Sequence, residues 1–96
     1  MPIQFAERAG AVVVEVLETF HPNDANIIET AVSRLPPGEP VEVDLCRARE
    51  KHLLALWLLA QAARREPGKY RVTGLTMADT RFLALAGIED LEARVH

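Results

Sequence analysis

The sequence alternates segments of two different hydrophobic periods, and that alternation limits what it can fold into. Gly10 to Leu17 is dense in β-branched residues, Val41-Glu42-Val43-Asp44-Leu45 alternates apolar with acidic, and Tyr70 to Thr73 is a shorter third run; each predicts a strand. Ile3 to Phe5 predicts a further strand, paired with Gly10 to Leu17 through a polar turn at Glu7 to Ala9. Helical spacing fills the gaps. Asn23 or Asp24 can cap a helix on which Ile28, Ala31 or Val32, and Leu35 share a face, and Pro36-Pro37 ends it. A second helix is expected from about Glu50 to Arg65, ended by Pro67-Gly68. A third begins at Thr76-Met77-Ala78-Asp79, where a threonine and an acid three residues on make a capping box. It stops at Gly87, with Ile88 placed to touch Leu83 in a Schellman closure. Leu91 to Val95 predicts a last strand.

The expected order is therefore β-β-α-β-α-β-α-β. Strands linked by helices run parallel through right-handed crossovers, which lay the helices on the sheet. The expected fold class is α/β: one domain spanning residues 1–96, a mixed sheet of four or five strands, and helices mainly on one side.

The size agrees with one domain. With 96 residues, 49% hydrophobic and 26% charged, folding buries roughly 60–65% of the unfolded surface, enough for one core but not for a second domain or a deep enclosed active site. Cys46 is the only cysteine, so no intramolecular disulfide can form, and a lone thiol suits a reducing compartment. The expected location is the cytoplasm. The N-terminus carries no secretory pattern, and the longest apolar run, Leu53 to Ala60, is far short of the roughly 20 residues that span a bilayer. A net charge of -3 and a pI near 5.6 argue against nucleic acid as a partner.

Two segments resemble the STAS domain of anti-sigma factor antagonists, sulfate-transporter tails and lipid-transport accessory proteins. Val41-Glu42-Val43-Asp44-Leu45-Cys46 is similar to that family's strand ending Asp-Leu-Ser. Gly74-Leu75-Thr76 through Leu85-Ala86-Gly87-Ile88-Glu89-Asp90-Leu91 is similar to its Gly-Leu, helix, Gly-Leu-Asp ending. Both are fold-defining patterns and neither is a catalytic signature. In the regulatory members, Asp-Ser-Ser-Gly or Asp-Ser-Thr-Gly opens the second helix, and a partner kinase phosphorylates the second hydroxyl residue. Counting from Asp44, that motif falls on His52-Leu53-Leu54-Ala55, and the aspartate common after the family's second strand falls on His21. The resemblance thus implies a degenerate member in which Leu54 occupies the phosphoacceptor position. Its partners would be a regulatory kinase, an anti-sigma-type protein or a transporter component, as for an accessory subunit of a lipid-transport ATPase.

On a helix from Glu50 to Arg65, Leu53, Leu56, Leu59, Ala60 and Ala63 gather on one side, the expected sheet face. Glu50, Lys51, Gln61 and Arg65 lie opposite, together with Leu54 and Leu58, and with Trp57 at the flank. Scattered leucines are ordinary on a surface. An alternative reading takes Leu54, Trp57, Leu58 and Gln61 as a contact patch, since a buried aromatic commonly anchors an interface. A phosphate on a hydroxyl at this position would be repelled from an apolar interface, but leucine cannot be charged. This reading expects constitutive binding, to a protein partner or to a second copy as a homodimer.

A reading of another class, an anion- or nucleotide-sensing domain, rests on His21, Cys46, Arg47, Arg49, Lys51 and His52 at predicted strand-to-helix loops. A metal would need His21 and His52 plus Cys46 or Asp24, a weak set, and no metal or cofactor is expected. Neighbouring basic residues could make Cys46 a nucleophile, but a small buried residue is the simpler expectation. The sequence has no Gly-rich phosphate loop, His-Glu-x-x-His, paired-cysteine zinc pattern or Gly-x-Ser-x-Gly elbow. No enzymatic activity is expected.

Overall fold

A computed structural model describes residues 3–36, 38–87 and 93–95. The chain opens with the hairpin β1 (Ile3–Arg8) and β2 (Ala11–Val16). There follow β3 (Glu18–Phe20), α1 (Pro22–Ser33), β4 (Val41–Asp44), β5 (Ala48–Lys51), α2 (Leu53–Arg65), β6 (Tyr70–Leu75), α3 (Met77–Leu85) and β7 (Ala93–Val95).

The main sheet has five strands in the order β1-β2-β4-β6-β7, antiparallel between β1 and β2 and parallel elsewhere. Each crossover moves the chain outward in the same direction, so a common right hand places all three helices on one face. Burial follows from register. Val14, Val43 and Val72 align across β2, β4 and β6 and are fully buried beneath the helices, whereas the opposite row of Glu15, Asp44 and Thr73 carries polar groups. The α/β class, the mixed sheet and the one-sided helices are as the periodicities predict.

Several boundaries differ from expectation. The hairpin turns at Ala9-Gly10, not at Glu7 to Ala9; both have positive φ, the type I′ geometry that matches strand twist. α1 is capped by His21, with Pro22 at the first helical position and Asp24 Oδ2 accepting the His21 N–H at 2.9 Å. It ends at Ser33, before Leu35 and the prolines. α2 starts at Leu53, because Glu50 and Lys51, expected to begin the helix, belong to the strand β5 instead. In α3, Thr76 Oγ1 accepts the Asp79 N–H at 3.1 Å and Asp79 Oδ2 accepts the Thr76 N–H at 3.0 Å, the reciprocal cap its sequence predicts. Gly87 takes a positive φ after the helix, while Ile88 and Leu91 lie outside the described residues.

At the lower end of the sheet, the hydroxyl of Tyr70 is buried with no hydrogen-bond partner among the described residues. Burial, aided by Glu66 and Glu29, pushes its pKa up to about 12. A raised folded-state value means that stability is full below the unfolded value near 10 and falls between pH 10 and about 12. Tyr70→Phe removes an unsatisfied group, so its melting temperature at pH 7 should match or exceed wild type and its alkaline loss should flatten. Thermal melts from pH 7 to 12 check this; a clear loss at pH 7 would mean the hydroxyl has a partner.

Candidate functional site

The strands that sequence periodicity did not reveal are the ones that assemble the candidate site. After β2 and β4 leave the main sheet, their continuations pair again as a two-stranded parallel sheet of β3 and β5. Arg47 C=O accepts the Glu18 N–H at 3.3 Å, and Phe20 C=O accepts the His52 N–H at 3.0 Å. Entry into β3 requires a sharp bend, which Glu18 supplies with a positive φ, unusual for a non-glycine residue. This small sheet places His21 and His52, the residues preceding α1 and α2, against each other with ring centroids 4.6 Å apart and planes tilted by 39°. The helix starts thus lie at the carboxyl ends of the strands, where open α/β sheets display binding groups.

The other residues expected to bind an anion are dispersed or engaged. Lys51 Nζ lies 3.1 Å from Asp79 Oδ2 with both side chains almost buried, so its charge is neutralised and ties β5 to the start of α3. Arg47 points toward Glu15 at 4.0 Å, and Arg49 lies exposed on β5. The metal set fails as well. Asp24 is buried as the partner of the His21 backbone, and no cluster of three or more metal-ligating side chains occurs among the described residues.

Cys46 is exposed, contrary to the buried residue expected. Its thiol is pushed up, first by hydrogen bonding to Asp44, then by burial and by the Asp44 charge, which opposes thiolate formation. Asp44 itself is raised by burial, but this is outweighed by bonds from the Cys46 backbone and thiol, the charge of Arg8 and a Thr73 bond, leaving it below the ordinary value. Its contribution to stability is therefore present at neutral pH and lost as pH falls through that lowered value. A thiol so held is a poor nucleophile.

The start of α2 is the second feature. The buried side of the helix is Ala55, Leu56, Leu59, Ala60, Ala62 and Ala63. Leu53, expected on this side, is 55% exposed, as is Leu54, and Trp57 is 38% exposed. Leu58, expected at the surface, is half-buried against the core. Leu53 and Leu58 lie on opposite flanks of the buried arc, so which of them is covered depends on the elements packed alongside and not on the helical period. Leu53, Trp57 and Gln61 then follow one another at intervals of four along one stripe, with Leu54 beside them. Three large apolar side chains in the first turn and a half form the patch; Leu58 supports it from below.

The class this architecture defines is a STAS-like α/β fold, with a mixed sheet covered on one side by three helices and an α2 that starts at the edge of the site. A serine-to-glutamate variant of RsbS from Moorella thermoacetica has a similar structure, with a TM-score of 0.70 at 12% sequence identity, over 100% of this chain and 88% of that chain. No family model and no curated protein matches the sequence. No helix among the described residues is long and apolar enough to cross a membrane.

Proposed function

We propose that this chain is a non-catalytic protein-interaction module, with a role resembling that of an anti-sigma factor antagonist, and that it binds a protein partner constitutively through the start of α2. The observation that carries this reading is the exposure of Leu53, Leu54 and Trp57 within one turn and a half, at the helix start that is the phosphorylation segment in STAS regulators. Residues 52–55 hold no hydroxyl, so no phosphate ester can form there to repel an apolar partner surface. Likeness to the RsbS structure supports the scaffold on which this reading rests. A regulatory kinase, an anti-sigma-type protein or a transporter component are the partner classes that the resemblance implies.

Leu54→Asp combined with Trp57→Ala tests it. Aspartate in the first turn suits the helix dipole, so the fold should survive, which circular dichroism verifies. Losing an aromatic anchor and placing a charge in the interface should weaken partner binding by about 100-fold or more. Affinity capture with wild type and variant, followed by titration of the purified partner, gives the answer. Equal binding by the two proteins would overturn the assignment.

A further inference from the structure

The β1 edge lies on the far side of the sheet from β6 and β7, and its outward backbone groups pair with no other strand among the described residues. Arg8 and Ala11 flank the two-residue turn and exchange hydrogen bonds. Alternation along an antiparallel ladder then makes Ala6–Val13 and Gln4–Glu15 hydrogen-bonded pairs as well. The N–H and C=O groups of Ile3, Phe5 and Glu7 consequently point away from β2, and no bond to them is made among the described residues. Natural edges are blunted by bulges, prolines or central charges. β1 has an unbroken register over its six residues and a phenylalanine at its centre, 52% exposed. Phe5 pairs with buried Val14, so it stands on the helix side of the sheet, beside an open groove of about 440 Å³ that Asn26, Ile27, Thr30 and Arg34 of α1 also line.

We infer that this edge pairs with the same edge of a second copy, forming an antiparallel β1–β1 junction about a twofold axis through Phe5. Backbone bonding and charge together select the register: centred on Gln4 or Ala6, only two of the three outward positions Ile3, Phe5 and Glu7 would pair. Centred on Phe5, Ile3 faces the partner's Glu7 and Gln4 faces the partner's Ala6, so no like charges meet. Centred on Glu7, two carboxylates would oppose each other, and centred on Ile3, much of the strand would hang free. In the Phe5 register, the outward groups of Ile3, Phe5 and Glu7 make roughly six new backbone bonds, and the two phenylalanines meet over the groove. The contact is self-complementary and closes at two copies. It leaves the start of α2 free on both, so it is independent of the partner surface proposed above.

Solution mass by light scattering from about 1 µM to about 1 mM, a range suited to weak association, tests this on four proteins. Wild type should pass from monomer to dimer. Phe5→Pro removes only an outward N–H and Phe5→Lys sets two cations across the axis, so both should remain monomeric throughout. Leu54→Asp with Trp57→Ala should dimerise like wild type. Phe5→Pro should melt near wild type, whereas Ala6→Pro, which removes an N–H bonded to β2, should melt far lower; if Phe5→Pro does not fold, Phe5→Lys decides. A wild type that stays monomeric, a dimer that survives Phe5→Lys, or a dimer lost in the α2 variant would each overturn the inference.

Discussion

Gly74→Ala is expected to lower the melting temperature by about 12–24 °C, or to prevent folding, through a loss of about 3 kcal/mol or more. Gly74 has a φ of +88°, in the region L side chains rarely adopt. A Cβ built there would lie 2.4 Å from the Cys46 nitrogen, 2.6 Å from the Leu45 carbonyl carbon and 2.9 Å from the Cys46 Cα. These are backbone atoms, so no side chain can swing aside. They are also held in place: Leu45 N–H donates to Thr73 C=O at 2.9 Å, and Cys46 N–H donates to Asp44 Oδ1 at 2.9 Å. Relief would have to move the end of β4 away from β6, and with it β5 and the start of α2. Total stability for a chain of this length is on the order of 5–14 kcal/mol, so the loss is a large fraction. Chemical and thermal unfolding of the variant measure it. A melting temperature within 3 °C of wild type, by the conversion of roughly 4–8 °C per kcal/mol, would show that the two chain segments do not cross this closely.

Phe20→Ala should cost about 3–5 kcal/mol. Phe20 is fully buried in the core cluster, although it belongs to a strand of only three residues. Its backbone C=O receives the His52 N–H, so the position joins the core to the residue that opens α2. The substitution leaves that hydrogen bond available but empties the packing that holds β3 against β5. Beyond the drop in stability, the contact between the His21 and His52 rings should loosen, visible as changed imidazole chemical shifts in a folded variant. A cost below about 1 kcal/mol would mean that the small sheet stands without this anchor.

The one-sided helix packing of the main sheet bears on why these two positions are so sensitive. Helices cover one side only, and the other presents Glu15, Asp44 and Thr73 with ion pairs such as Arg8 with Glu15 at 2.7 Å. Exposed pairs of this kind contribute little. The main apolar cluster lies between sheet and helices, and both Gly74 and Phe20 lie at the end of that layer where the strands hand over to the helices.

Much of the candidate site could not be read from residue patterns. The resemblance counted forward from Asp44 put His52-Leu53-Leu54-Ala55 at the start of the second helix, and the structure has His52 as the cap and Leu53 as the first residue of α2. Leu54 and Trp57 are at the surface, where the helical period puts them. Leu53 and Leu58 flank the buried arc of α2 on opposite sides, and the helical period alone does not tell which flank a neighbouring element covers. His21 and His52 were placed in neighbouring loops, and they meet. Lys51 was expected among free cations, but its partner Asp79 is distant in sequence and came near only through packing of α3.

Local signals along the chain were enough to specify most of its elements. A β-branched run made β2 and alternating valines β4, helical periods and proline or glycine stops made the three helices, and Thr76 with Asp79 closed a cap across three residues. From these the crossover rule yielded the sheet with its helices on one side. The β3–β5 pairing, the partial burial of Leu58 beside an exposed Leu53, the raised pKa of the Cys46 thiol and the need for glycine at position 74 follow only from the folded arrangement. The physical reason is range: periodicity records how a segment meets one broad surface. These four features depend on where the chain crosses itself, through backbone groups and single side chains that leave no repeating mark in the sequence.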